Sequence, residues 1–299
     1  MFRSPPAQEA DAGRDVGAHC CCSALGGMEA SMWTALWNRL AHPGQFLRWS
    51  GAALPWLAAA SALLVAAGLY LTFFVVPPDY QQGDTVRIMY VHVPAAILGM
   101  GFYGAMTLSA IGTMVWRHPL ADVSQRAAAP IGAAFTLICL VTGSLWGKPM
   151  WGTYWVWDAR LTSMLVLFLV YCGIIALWRT IEDPSRAARA VSILTLVGAV
   201  NLPIIKFSVN WWSTLHQPAS ILRMGGSSID SSMLYPLLEM VLAMTLLGVT
   251  LHLQAMRTEI YRRRVRTLLI RQAERLDAGV QEAAPMTRAA TTLPVGQAI

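Results

Sequence analysis

Between Trp146 and Asp158 the chain gathers four tryptophans, a tyrosine and one carboxylate: Trp146, Trp151, Tyr154, Trp155, Trp157 and Asp158. An indole is large and flat, and its N–H seeks a partner once buried. A few tryptophans at a membrane interface are ordinary. This density, with Gly147 and Gly152 between the rings, describes a platform for a large flat ligand. Two histidines add ligating nitrogen. His92 stands in Tyr90-Val91-His92-Val93-Pro94, and His216 in Trp211-Trp212-Ser213-Thr214-Leu215-His216-Gln217-Pro218. Two neutral imidazoles arriving from opposite sides make an axial pair for haem iron. The indoles would supply the apolar walls that a porphyrin needs. The plainer reading stays open beside it. Each histidine would then be an interface residue bonded to a neighbour, and Asp158 the N-cap of the helix that follows it.

The elements that must position these residues are membrane spans. The 299-residue chain is 56% hydrophobic and 13% charged, against about 25% charged in a soluble domain. Its mean hydropathy is positive. Six apolar segments are predicted, at about 54–76, 91–115, 127–146, 161–178, 190–208 and 233–256. Each is near the ~20 residues that a bilayer core requires, and each must be helical to satisfy its backbone there. The fifth is the weakest, interrupted by Asn201, Pro203 and Lys206, and the sixth carries Glu239. The expected fold is an all-α integral membrane protein with six transmembrane helices.

The formal charge of +6 is not a nucleic-acid footprint, because the cations gather at segment ends. One set of connections holds Arg39, Arg48, Arg117, Arg126, Arg179, Arg186, Arg189 and the run from Arg257. The other holds Arg87, Lys148, Arg160, Lys206 and Arg223. The positive-inside rule places the richer set, and both termini, in the cytoplasm. The Trp-rich segment, from Trp146 to Asp158, becomes an extracytoplasmic loop between helices 3 and 4. His92, at the outer start of span two with Pro94 in its first turn, and His216, in the last outer loop, share its side. His19, His42, His118 and His252 fall elsewhere and have no evident common purpose.

Three regions are expected. Residues 1–31 read as a disordered or mis-called extension, with Met28 or Met32 as an alternative start. They hold Cys20, Cys21 and Cys22, which have neither metal-site spacing nor an oxidising compartment. Residues 32–256 form the membrane domain. Residues 257–299 form a basic cytoplasmic tail whose arginines meet anionic lipid as a continuing helix, with disorder expected from Ala278. No phosphate-binding glycine loop is present, so nucleotide hydrolysis by this chain is not expected.

These residues are similar to a known signature. Trp151-Gly152-x-x-Trp155-x-Trp157-Asp158, followed by Ala159-Arg160-Leu161-Thr162, resembles the "WWD" motif of haem-handling membrane proteins. With Val91-His92-Val93-Pro94-Ala95-Ala96 and Trp211-Trp212-x-Thr214-Leu215-His216-Gln217, the chain resembles the CcmC family from about Trp33 to Arg257. The resemblance implies haem b held at the periplasmic face of the bacterial inner membrane, with His92 and His216 as axial ligands. It implies contact of haem with Trp151, Trp155, Trp157 and Asp158. It implies delivery to a periplasmic haem chaperone (CcmE-like) for c-type cytochrome biogenesis. The implied partners are ABC-type subunits (CcmA- and CcmB-like) and a small single-span subunit (CcmD-like). The implied role is handling and not catalysis, at most a lyase-like part in loading the chaperone. The chain contains no Cys-x-x-Cys-His of its own. Two other classes remain as alternatives. A haem b electron-transfer subunit would bury its ligands within facing helices. A transporter with an aromatic gate would line its path with ionisable groups. Arg87, Lys148, Arg160 and Arg223 are the cations predicted on the side where haem propionates would lie, and the sequence does not say which of them would meet the propionates.

Overall fold

The computed structural model describes residues 42–212, 215, 216, 227 and 229–290, with side chains as far as Ala278. Cys20, Cys21, Cys22, His19 and Arg223 lie outside the described residues. Among the described residues seven α-helices follow in order: α1 Pro43–Tyr70, α2 Met89–Val115, α3 Ala121–Trp151, α4 Ala159–Thr180, α5 Pro184–Gly198, α6 Asn201–Trp211 and α7 Ser231–Ala290. A π-helical turn, Leu71–Val75, extends α1, and a 3₁₀ turn, Asp84–Ile88, leads into α2. Taken with these extensions, and with α5 and α6 as one crossing, six segments are long and apolar enough to span a membrane.

The helix ends follow from local chemistry. His42 and Asp183 accept backbone N–H groups at the starts of α1 and α5, and each is followed by a proline in the first turn, where the missing N–H costs nothing. Asp158 caps α4 in the same way. Span five divides at Ala199–Val200. Pro203 has no N–H to give Ala199, whose carbonyl accepts Leu202 N–H at 3.1 Å, and Asn201 Nδ2 donates to Ser163 O of α4 at 2.8 Å.

Packing in lipid cannot rest on hydrophobicity alone, so close contact and internal hydrogen bonds carry it. Tyr103 and Tyr171 meet edge to face at 5.2 Å in the centre. Tyr171 donates to Gly99 O at 2.8 Å and Tyr103 to Thr195 O at 3.1 Å. Gly132 leaves the space that the Tyr171 hydroxyl fills. A second cluster, built on Phe46, Leu47, Leu120, Val123, Met256 and Ile260, closes the opposite end of the bundle.

Three local expectations are corrected. The Trp-rich run is not one loop: α3 continues through Trp146 and Pro149 to Trp151. The helix stops where Gly152 takes a left-handed φ of 77°, so only Gly152–Asp158 connects it to α4. Pro94 lies in the second turn of α2, because the helix starts at Met89. The chain remains helical past Ala278, to Ala290.

Candidate functional site

The start of α2, the end of α3 and the start of α4 lie at one end of the bundle and surround a cavity of about 630 Å³. That size is ordinary for an organic cofactor or ligand. His92, His216, Trp146, Trp155, Arg160 and Lys206 all line it. Below them the wall turns apolar. Met89, Val93, Ala96, Ile97 and Met100 line it from one face of α2, as the helical period requires.

Both imidazoles are oriented through Nδ1. In α2, His92 Nδ1 lies 3.0 Å from Cys139 O and 3.1 Å from Thr142 Oγ1, both on α3. A carbonyl only accepts, so Nδ1 carries the proton. The Thr142 hydroxyl gives its own proton to Ile138 O at 2.6 Å and is left as an acceptor too. Gly143 makes the room: a Cβ there would stand 3.0 Å from His92 Cε1. His216 Nδ1 lies 2.8 Å from Asp158 Oδ2. The other carboxylate oxygen, Oδ1, accepts Leu161 N–H at 2.7 Å. Asp158 therefore caps α4 and holds His216 at the same time. An engaged Nδ1 fixes the tautomer and direction of a ring, as it does in metal-ligating histidines. Burial lowers the pKa of His216, opposed by its hydrogen bond to Asp158. Burial thus favours the neutral ring.

The aromatic residues divide. Trp151 packs its edge against the His216 ring at 5.2 Å and against Trp146 at 5.2 Å, outside the cavity lining. Trp146 Nε1 donates to Gln82 Oε1 at 2.9 Å, which ties α3 to the segment before α2. Trp155 lines the cavity, and its buried Nε1 has no hydrogen-bond partner among the described residues. Trp157, edge on to Trp155 at 5.5 Å, is 76% exposed. So of Trp151, Trp155 and Trp157, one faces the cavity, one buttresses a histidine and one faces outward.

The cations divide as well. Arg87 is occupied by Asp84 at 3.1 Å and by Phe73 O. Lys148 donates to Gly152 O at 3.1 Å and sits over the Tyr154 ring. Arg160 lines the cavity, its Nε buried without a partner, and Lys206 lines it too. Lys206 was readable in principle, since a cation inside a span marks a functional position. Gly143 and Thr142 carried no such signal, because a glycine or threonine in a span reads as packing. His252 is half-buried at the other end, with Nε2 3.2 Å from Ser124 Oγ.

This is a polytopic helical membrane protein with an aromatic-walled, two-histidine cavity at one end. Residues 36–271 match the family model for heme exporter protein C, CcmC. The chain is 65% identical over 237 residues to heme exporter protein C of Bradyrhizobium diazoefficiens, covering 79% of this chain and 90% of that protein. It is 50% identical over 229 residues to the Escherichia coli K12 protein of that name, covering 77% and 92%. It is 43% identical over 239 residues to that of Paracoccus denitrificans, covering 80% and 98%. The chain belongs to the CcmC family, the heme exporter protein C family of cytochrome c maturation.

Proposed function

We propose that the cavity holds haem b by its iron between His92 and His216, and that the chain passes this haem to a periplasmic haem chaperone. The haem is cargo here and not a resident catalyst. The observation that carries the reading is the pair of imidazoles lining one cavity, each oriented through its Nδ1. Trp155 and Trp146 offer walls to the porphyrin. Arg160 and Lys206 are the cations for its propionates, with Arg suited to paired contact with a carboxylate. Trp151 and Asp158 act through His216. Trp157 and Tyr154, both exposed, form the face presented to the chaperone.

The cavity end faces the periplasm across the inner membrane, since the richer arginine set lies at the other end. ABC-type subunits and a small single-span subunit complete the assembly that the family name implies. Delivery is favoured over electron transfer because the histidines sit at one end of the bundle and not across it. The test is a reduced-minus-oxidised spectrum of the purified protein. His92→Ala and His216→Ala should each lower haem occupancy or shift the bands, and added imidazole should partly restore them. His252→Ala should change neither. Unaltered haem content and spectra in both ligand variants would refute the assignment.

A further inference from the structure

We infer that the part of α7 beyond the bundle, from Tyr261 to Leu276, is a docking helix for a protein partner whose apolar groove is rimmed by carboxylates. This partner lies on the side of the membrane opposite the cavity. The inference rests on the membrane placement proposed above, but not on haem ligation.

The bundle ends near Ile260, which packs with Phe46 and Leu120. Beyond it Tyr261, Val265, Leu268, Leu269 and Leu276 are all exposed. At 100° per residue these five fall within about a third of the helix circumference, with Gln272 the one polar residue among them. Arg262 and Arg266 follow one edge of the stripe, and Arg264, Arg271 and Arg275 the other. An apolar stripe between basic edges suits a groove of opposite pattern.

Lipid does not provide that groove. The helix has neither Gly nor Pro from Val249 to Ala278, so nothing kinks it. Its exit is held from both sides. Glu259, with a side chain 4% exposed, meets Arg126 of α3 at 3.1 Å as well as Arg262 and Arg263. Arg263 also reaches Asp122 of α3 at 2.6 Å. Arg257 donates to Ser50 Oγ of α1 at 3.0 Å. With the boundary at Arg257, a rise of 1.5 Å per residue puts Leu268 roughly 16 Å out and Leu276 roughly 28 Å out along the helix. A tilt of about 20° shortens these only slightly. The headgroup layer is roughly 5–8 Å thick. Both leucines therefore stand in water unless a protein covers them. A second copy would oppose arginine to arginine, so the partner is of a different kind and acidic.

The test places a polarity-sensitive fluorophore at L268C, L276C or, on the other face, I270C, in full-length protein freed of its native cysteines. In nanodiscs with anionic lipid, aqueous iodide should quench all three, and a spin-labelled lipid should quench none. In native membranes at genomic expression, L268C and L276C should become protected at least several-fold, while I270C stays open. The double variant Leu268→Glu/Leu276→Glu should lose co-purification with the partner cross-linked at these positions. It should keep the haem content of the parent, which separates this inference from the haem assignment. Quenching by the lipid probe, protection in nanodiscs by the chain itself, or full iodide access in native membranes would overturn it.

Discussion

Asp158→Asn should weaken haem binding about as much as loss of the His216 ligand, while leaving the fold nearly intact. The carboxylate does two jobs, with Oδ1 on Leu161 N–H at 2.7 Å and Oδ2 on His216 Nδ1 at 2.8 Å. An amide has one oxygen. If that oxygen keeps the cap, the NH₂ faces Nδ1, and two donors cannot share the contact. The imidazole then moves its proton to Nε2, the nitrogen proposed to meet iron. Charge does not confuse the outcome: burial lowers the His216 pKa and the carboxylate opposes it, so the ring stays neutral once the carboxylate is gone. Losing such an orienting group costs roughly 10–100-fold in metal affinity, or about 1.4–2.7 kcal/mol at ~1.36 kcal/mol per tenfold. Asp158→Ala should add the lost cap, about 1 kcal/mol of stability. Haem titration of purified protein measures the first effect and thermal unfolding the second. The double variant Asp158→Asn/His216→Ala should bind haem no more weakly than His216→Ala alone, since the two act as one unit. Full haem affinity and an unchanged spectrum in Asp158→Asn would refute the coupling.

Three further outcomes are expected. Gly143→Ala should displace the His92 ring, since its Cβ would lie 3.0 Å from Cε1; haem affinity should fall severalfold while thermal stability holds, and unchanged affinity would show that the ring has room to spare. Arg160→Gln and Lys206→Gln should each weaken haem severalfold but leave binding of haem dimethyl ester, which lacks propionate charge, as in the parent; equal losses for both ligands would remove the propionate role. Trp157→Ala, which deletes an exposed ring, should retain haem and yet reduce the yield of covalent haem–chaperone adduct by severalfold; normal loading at normal protein levels would reduce Trp157 to an interface residue.

The six crossings were legible because lipid admits so few backbone solutions: long apolar runs without charge must be helices. The Trp-rich segment and the two histidines were legible as candidates because their residue types are costly or unusual where they stand. What sequence spacing could not decide was how the rings are used. Gly152 ends α3 only at the seventh residue of a run that read as loop from Trp146, because the helix carries through Gly147 and Pro149 before its left-handed stop. Trp151, Trp155 and Trp157 look equivalent in the chain, yet helix phase and the following turn send one to His216, one to the cavity and one to solvent. Asp158 reads as a helix cap, and it is one; that its second oxygen reaches His216, 58 residues away, depends on how the chain packs. The same holds for Cys139 O and Gly143, 47 and 51 positions from His92, which set the tautomer and clearance of that ring. Sequence alone determines which chemistry is present and which helices carry it. Tertiary packing decides how each ring is held, because that depends on partners brought within about 3 Å by other helices.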